Sequence, residues 1–260
     1  MGIPRLKLGL PSTRQVDRLG WAKGTAVESF GVRIGLRTSV PEAIATAAGR
    51  LPPGRPLAAG RVDLLYSLVV GGPGPRPGMQ RSHLLYCGAM RIARSLDLES
   101  VLDSLESHAR LLVAARSRRG VFLHAGVVGW RGRAIVLPGV SGSGKTTLVA
   151  ELVRAGAAYL SDEFAVILGD RVVPYPKPQS EPLPVGLVVL SRFEPGARWW
   201  TRTLPAGRAL QALLAHAVQA RIAPREVLTA LEALVRTAPV VRARRGEARE
   251  AARRILVRME

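Results

Sequence analysis

The 260-residue sequence predicts an α/β fold, in which a core domain built on a mixed sheet follows a small β-rich module. Two observations predict it. Beyond about residue 119, short apolar runs of strand length alternate with segments of helical periodicity. Before it, strand-like runs are interrupted by glycine and proline, as in GGPGPRPG at 71–78. We therefore predict an N-terminal module over 1–118, ending in a long helix, and a second domain over 119–260.

The elements of the first domain follow from local patterns. Residues 1–24 are polar and irregular, and they are expected to form an arm. Partial alternation predicts strands or hairpins, and apolar residues three or four apart predict helices. The predicted strands are 26–38, 61–70 and 81–94, and the predicted helices are 41–49 and 96–117.

The second domain is predicted to begin with two strands, 121–130 and 134–137, joined by a tight Arg131–Gly132 turn as an antiparallel hairpin. A second hairpin is predicted around Gly169–Asp170. The remaining predicted strands are 157–161, 186–190 and 240–244, and the predicted helices are 147–154, 206–218, 224–237 and 247–259.

The segment GVSGSGKTT at 139–147 fits the pattern G-x-x-x-x-G-K-[ST] and lies between a predicted strand and a predicted helix. Glycines let backbone N–H groups turn inward toward phosphate oxygens, and the helix adds its positive end. Lys145 can reach the β- and γ-phosphates, and the Thr146 hydroxyl can bind Mg²⁺. The predicted nucleotide-binding residues are Gly139, Ser141, Gly142, Ser143, Gly144, Lys145, Thr146 and Thr147.

Composition limits the classes of partner. The net charge of +19 would suit nucleic acid, but the arginines are spread along the chain and aromatic residues are 5%. An acidic or phosphorylated ligand explains the charge equally well, so nucleic acid is not the expected partner. No apolar run is long enough to span a bilayer, and Cys87 is the only cysteine. We expect a cytoplasmic protein without a membrane partner, and a homo-oligomer stays open.

Two further positions are candidates for the chemistry. Asp162 and Glu163 end a short apolar strand 17 residues after Lys145, and that strand is expected to lie beside the phosphate loop. A carboxylate there can hold Mg²⁺ or accept the proton of an attacking hydroxyl. Glu163 would point the other way if the strand continued, but it could still reach the metal through water. His124, in FLHAG, is predicted to lie beside the loop, where nearby Gly126 allows close backbone approach. His83, His108 and His216 are interpreted as structural.

A few cations and aromatic residues downstream could contact substrate. Lys177 lies in the proline-rich loop PYPKPQSEPLP and could cross the cleft, although a solvated lysine is an equal alternative. Arg192 and Arg198 could bind phosphate or an acidic acceptor. Trp199 and Trp200 could instead form a partner surface.

The segment from HAG to GVSGSGKTTLVAELVRAGAAYLSDE resembles the catalytic core of HPr kinase/phosphorylase and its smaller relatives, some of which occur in lasso-peptide pathways. The resemblance covers about 120–180, and phosphoenolpyruvate carboxykinase shares a similar core more distantly. It implies a P-loop core of that type, with Asp162 as the base, His124 as the family histidine and Glu163 in place of a second aspartate. The family's ERGLGI-like stretch has no counterpart here.

The resemblance implies an ATP- and Mg²⁺-dependent kinase that phosphorylates a hydroxyl, expected to be a serine, on a peptide or small molecule. Lys145, His124 and Asp162 are then the catalytic residues, and Thr146, Asp162 and Glu163 hold the metal. A transporter-type ATPase would carry LSGGQ and a later acidic strand, and a Ras-like GTPase needs an asparagine that this sequence lacks. The alternative is a nucleotide-binding regulatory module that acts on a protein partner.

Overall fold

Both strands and helices occur along the computed structural model, which describes residues 13–58, 60–140, 142–175 and 181–260. The fold is mixed α/β, as predicted. The chain divides into two units at Val113/Ala114, whereas the sequence placed the boundary at 118/119. No helix within the described ranges is both long and apolar enough to cross a bilayer.

The N-terminal unit is organised around a sheet that, among the described residues, has six strands in the order β3-β1-β2-β4-β7-β8. Its elements are α1 (Thr13–Asp17), β1 (Lys23–Ser29), β2 (Val32–Thr38), α2 (Ala43–Gly49), β3 (Arg55–Pro56), β4 (Leu64–Val69), β5 (Gly72–Pro73), β6 (Gln80–Arg81), β7 (His83–Cys87), β8 (Met90–Ser95) and α3 (Leu98–Arg116), the last of which continues past the boundary.

The predicted strand at 81–94 is wrong in one respect, because it is a hairpin rather than a single strand. β7 and β8 pair antiparallel around Gly88, whose φ of 58° lies in the left-handed region that glycine adopts easily. The segment 26–38 is also a hairpin, with the turn at Phe30 and Gly31.

The C-terminal unit carries the glycine-rich loop. Its elements are β9 (Val121–Trp130), β10 (Arg133–Pro138), α4 (Lys145–Arg154), β11 (Ala158–Ser161), β12 (Phe164–Leu168), β13 (Arg171–Tyr175), β14 (Leu183–Phe193), β15 (Trp200–Thr203), α5 (Ala206–Leu214), α6 (Pro224–Thr237), β16 (Val240–Arg245) and α7 (Ala248–Arg258).

Strand β10, which leads into the loop, pairs with β9 on one edge and with β14 on the other. The β9–β10 pairing is the predicted antiparallel hairpin, and β10, β14 and β16 run parallel. β11 and β12 pair with β9, and β13 joins β12 to β14. The carboxyl ends of the three parallel strands therefore meet on the side where the loop begins.

Helices cover both faces of this mixed sheet. Alternate residues of β10 pack on opposite faces of the sheet. Ala134 and Val136 belong to the hydrophobic cluster that contains residues of α5 and α6. Ile135 and Leu137 belong to the cluster that contains residues of α4 and α7. A run of buried residues on β10 is what a strand covered on both faces requires. The glycine-rich loop is thereby held by a strand with no exposed face.

Two elements near the loop differ from the prediction. The helix predicted over 206–218 ends at Leu214. The backbone beyond it bonds to β9, with the His124 N–H donating to the His216 carbonyl and the Val218 N–H to the Phe122 carbonyl. Strand β15 was not predicted, and it exists because its backbone pairs with β16.

Candidate functional site

The glycine-rich loop connects β10 to α4 with a backbone that only glycine adopts readily. Gly142 and Gly144 both have φ of 78°. Gly144 occupies the N-cap position of α4, and a β-carbon there would collide with the Arg245 guanidinium. At Gly139 a β-carbon would lie 2.6 Å from Ser143 Oγ. Side chains are thus excluded from the places where the loop curls most tightly.

Lys145 is the first residue of α4, and its side chain folds back over the loop. It is buried, and its Nζ donates to the carbonyls of Gly139 at 2.7 Å and Val140 at 3.1 Å. Burial lowers the pKa of the Lys145 ammonium, and the nearby Asp162 carboxylate partly opposes that lowering. A cation in these surroundings gains from a bound anion.

The loop also contains a buried hydroxyl without a hydrogen-bond partner among the described residues, Ser143 Oγ. Buried polar atoms of this kind are uncommon, and an unfilled ligand position is one ordinary reason for them. An anion placed over the loop would meet the Lys145 ammonium and the N-terminal end of α4. The residues present therefore fit a phosphate group.

Arg245, the last residue of β16, supports the loop from behind. It is 3% exposed, its Nη2 donates to the Gly144 carbonyl at 2.9 Å, and its Nη1 donates to the Gly246 carbonyl at 3.2 Å. Burial lowers the pKa of this guanidinium, with Glu247 opposing the effect. No local pattern in the sequence indicates a role for Arg245, because its contact with Gly144 spans 101 residues.

The acidic pair lies in a bend between β11 and β12. The β11–β9 pairing shifts register between Tyr159 and Ser161, and such bulges redirect the residues that follow. The buried Ser161 hydroxyl donates to the Tyr175 carbonyl and accepts the Glu163 N–H. The Tyr159 hydroxyl donates to Asp162 Oδ1 at 2.8 Å.

The strand ends at Ser161, so Glu163 does not point away from Asp162, and both residues line one cavity. One expectation about this pair is wrong, because the strand that carries it is not next to the loop strand. β9 lies between β10 and β11, so the acids reach the loop from one strand further away.

His124 lies on β9, beside the loop as predicted. The Gly139 N–H donates to the His124 carbonyl at 3.2 Å. The imidazole Nδ1 lies 2.9 Å from the Glu163 carbonyl, which can only accept, so Nδ1 carries the hydrogen and Nε2 has none in the neutral ring. At Gly126 a β-carbon would lie 2.6 Å from Val149 Cγ2, which explains the glycine by its close packing against α4.

These groups meet in one cavity of 660 Å³. Its lining residues are His124, Gly142, Gly144, Lys145, Thr146, Thr147, Asp162 and Glu163. Among the described residues, no three His, Cys, Asp or Glu side chains form a metal cluster. Thr146 with the two carboxylates fits Mg²⁺, which needs few protein ligands when phosphates supply the others.

His216 also reaches this region, although its sequence context indicated a structural residue. It lines a neighbouring groove of 610 Å³ together with Gly139, Val140, Gly142 and Ser143. Burial lowers the pKa of the His216 imidazole, and the charges of His124 and Lys145 lower it further. Only the pairing of the 216–218 segment with β9 places it there, so no local signal could have found it.

The remaining candidate residues lie in different surroundings. Ser141 and Lys177 lie outside the described residues. Arg192 lines the groove beside the loop and lies 3.6 Å from Glu194. Arg198 is exposed, Trp199 packs against the core cluster around α4 and α7, and Trp200 is 48% exposed.

Comparison of the sequence with protein-family models and with curated proteins gives no match.

Proposed function

We propose that this protein is an ATP- and Mg²⁺-dependent kinase with a P-loop core of the HPr kinase/phosphoenolpyruvate carboxykinase type. It transfers the γ-phosphoryl group to a hydroxyl, a serine in the simplest case, on a peptide or small-molecule acceptor. One observation carries the proposal. A carboxylate pair and a histidine line the same cavity as the lysine and threonine of the glycine-rich loop.

In this mechanism the loop binds the triphosphate of the substrate ATP through its N–H groups and Lys145. Bound Mg²⁺ would supply charge neutralisation on the phosphates, with Thr146, Asp162 and Glu163 as its protein ligands. Asp162 accepts the hydroxyl proton as the oxygen–phosphorus bond forms and the bond to the β-phosphate oxygen breaks, which releases ADP. His124 lines the same cavity and would contact phosphate or the acceptor from β9.

The direct test is transfer of label from γ-labelled ATP to serine peptides, including those encoded beside the protein's own gene. We expect labelled product with Mg²⁺ and none after chelation with EDTA. ATP binding without transfer to any acceptor would support the alternative, a regulatory module. Failure to bind ATP at all would exclude both.

Arg245 provides a second prediction. Arg245→Met removes the donor that holds the Gly144 carbonyl, and we expect roughly tenfold weaker binding of a non-hydrolysable ATP analogue, measured by calorimetry. Because the buried guanidinium is itself costly to desolvate, the unfolding free energy should change little. The matched control is Arg244→Met on the same strand, 53% exposed. Equal affinities of the two variants would contradict a supporting role for Arg245.

A further inference from the structure

A second cavity of 610 Å³ lies where β15 pairs with β16. Three arginines line it, Arg202, Arg208 and Arg242, together with Thr203, Pro205 and Gln211, and no carboxylate is among its lining residues. It does not include the glycine-rich loop. The proposed phosphoryl transfer makes no use of it.

The arginines are arranged in a way that costs stability unless an anion is present. Arg202 and Arg242 are direct partners across the antiparallel β15–β16 pair, and like charges at such positions repel. Arg192 and Arg244 lie 3.6 Å and 3.8 Å from Glu194. In the described part of the chain, none of the three cavity arginines has a carboxylate within salt-bridge distance.

The backbone adds to the positive potential of the cavity. Pro205 is the N-cap of α5, a helix of nine residues, and both Pro205 and Arg208 line the cavity. The first turn of α5 therefore lies at its wall, and a helix N-terminus favours negative charge. Three guanidinium groups around one space match a dianion with several acceptor oxygens, such as a phosphate monoester, better than a single carboxylate.

The cavity borders the region of the loop. It shares Ala212 and Arg242 with the groove that His216 lines, and that groove shares Gly142 with the cavity of the acidic pair. All of these residues belong to the C-terminal unit. This adjacency would let one acceptor place its hydroxyl at the loop and another group at the arginines.

We propose that the Arg202–Arg208–Arg242 cavity binds a phosphate monoester that the acceptor carries in addition to its reactive hydroxyl. The acceptor part of this inference rests on the proposed kinase function, whereas the anion site itself does not depend on that function. The acceptor class is then a phosphorylated peptide or a phosphorylated small molecule. The cavity selects it before the second phosphoryl group is transferred.

The first experiment measures the anion site without needing catalysis. Inorganic phosphate is titrated calorimetrically at constant ionic strength into Lys145→Met, in which the loop has lost its lysine. We expect Lys145→Met to bind phosphate. The binding should weaken at least roughly tenfold when Arg202→Gln, Arg208→Gln and Arg242→Gln are added to this variant. The matched control adds Arg221→Gln, Arg225→Gln and Arg253→Gln, which remove the same charge from exposed positions. No phosphate binding, or equal loss in both sets, would overturn the site.

Arg208→Gln alone serves as a second variant, because position 208 is exposed on a helix and its loss leaves the sheet intact. It should weaken phosphate binding severalfold with an unchanged melting temperature. An unchanged affinity in this variant, with the triple variant folded and equally unaffected, would also contradict the site.

The second experiment separates an acceptor phosphate from free phosphate. The parent is assayed with labelled ATP and two peptides that differ only in a phosphoserine near the reactive serine. We expect a lower KM for the phosphorylated peptide, and the triple arginine variant should remove that advantage without changing the KM of the plain peptide. Phosphate binding with no KM difference would mean that the cavity binds free phosphate, which overturns the acceptor assignment. No transfer to either peptide, with phosphate still bound, would sink the kinase proposal and the acceptor assignment and leave the anion site.

Discussion

Replacing Lys145 by methionine is expected to slow phosphoryl transfer severely while leaving the folded protein at least as stable as the parent. The loss of function follows from charge, because this ammonium is the cation of the loop closest to the proposed β- and γ-phosphates. Removing one preorganised electrostatic contact of this kind typically slows catalysis by about 10²–10³-fold. Affinity for an ATP analogue should fall with it.

The stability half of this prediction follows from the pKa of Lys145. Burial lowers that pKa, which means that the ammonium is less stable in the folded chain than in the unfolded chain. A methionine keeps the apolar stem and removes the cost of burying the charge. Two hydrogen bonds, one to the buried Gly139 carbonyl and one to the part-buried Val140 carbonyl, are lost in exchange, and we expect this loss to be no larger than the cost of burying the charge.

Analogue binding by calorimetry, transfer of label from γ-labelled ATP and unfolding in urea measure the three quantities separately. Lys23→Met is the matched control, since Lys23 is exposed on β1 of the other unit. Parent-like analogue affinity in Lys145→Met would show that the loop does not bind the triphosphate. A large loss of stability in Lys145→Met would mean that the main role of Lys145 is structural, through its hydrogen bonds to the Gly139 and Val140 carbonyls.

Local patterns account for what the sequence predicted well. The β9–β10 hairpin follows from two apolar runs and an Arg131–Gly132 turn, and both turn residues have positive φ. The loop follows from glycines with positive φ at 142 and 144, a backbone conformation that other residues rarely adopt. In these segments the residues that decide the structure are neighbours in the chain, so one window of sequence contains the whole cause.

Contacts between distant segments explain the features that the sequence did not predict. The 216–218 segment has helical periodicity, yet its backbone pairs with β9 and turns His216 toward the loop. Arg245 appears in the sequence as one of several clustered arginines, and only the parallel alignment of β16 with β14 brings it behind Gly144. For the 216–218 segment, tertiary pairing overrode the local helix propensity. For Arg245, no local sequence preference indicated its position.

The position of the acidic pair was predicted only in part. Its position after a short apolar strand predicted that it would approach the loop, and the structure places both residues in the cavity with Lys145. The route differs, because β9 intervenes and a register shift before Ser161 redirects the chain. Spacing along the sequence could indicate that the acids come near the loop, but not through which strand they arrive.

Asp162→Asn is expected to reduce phosphoryl transfer by about 10²–10⁴-fold while ATP-analogue affinity changes less than about threefold. The amide has the shape of the carboxylate and can still accept the hydrogen bond from Tyr159, so the bend should keep its structure. It cannot take the proton of the acceptor hydroxyl. A regulatory module that only binds nucleotide has no use for that proton, so the variant separates the two functions proposed for the loop.

Two neighbouring substitutions make the Asp162 assignment specific. Tyr159→Phe removes the 2.8 Å hydrogen bond to Asp162 and leaves the carboxylate in place, so transfer should fall only severalfold. Glu163→Gln removes the second carboxylate of the cavity, and we expect a higher Mg²⁺ requirement with a maximal rate reduced less than in Asp162→Asn. Initial rates at saturating ATP and varied Mg²⁺ distinguish the three. If Asp162→Asn transfers phosphate at the parent rate while Glu163→Gln is inactive, the base is Glu163 and the roles assigned to the pair are reversed.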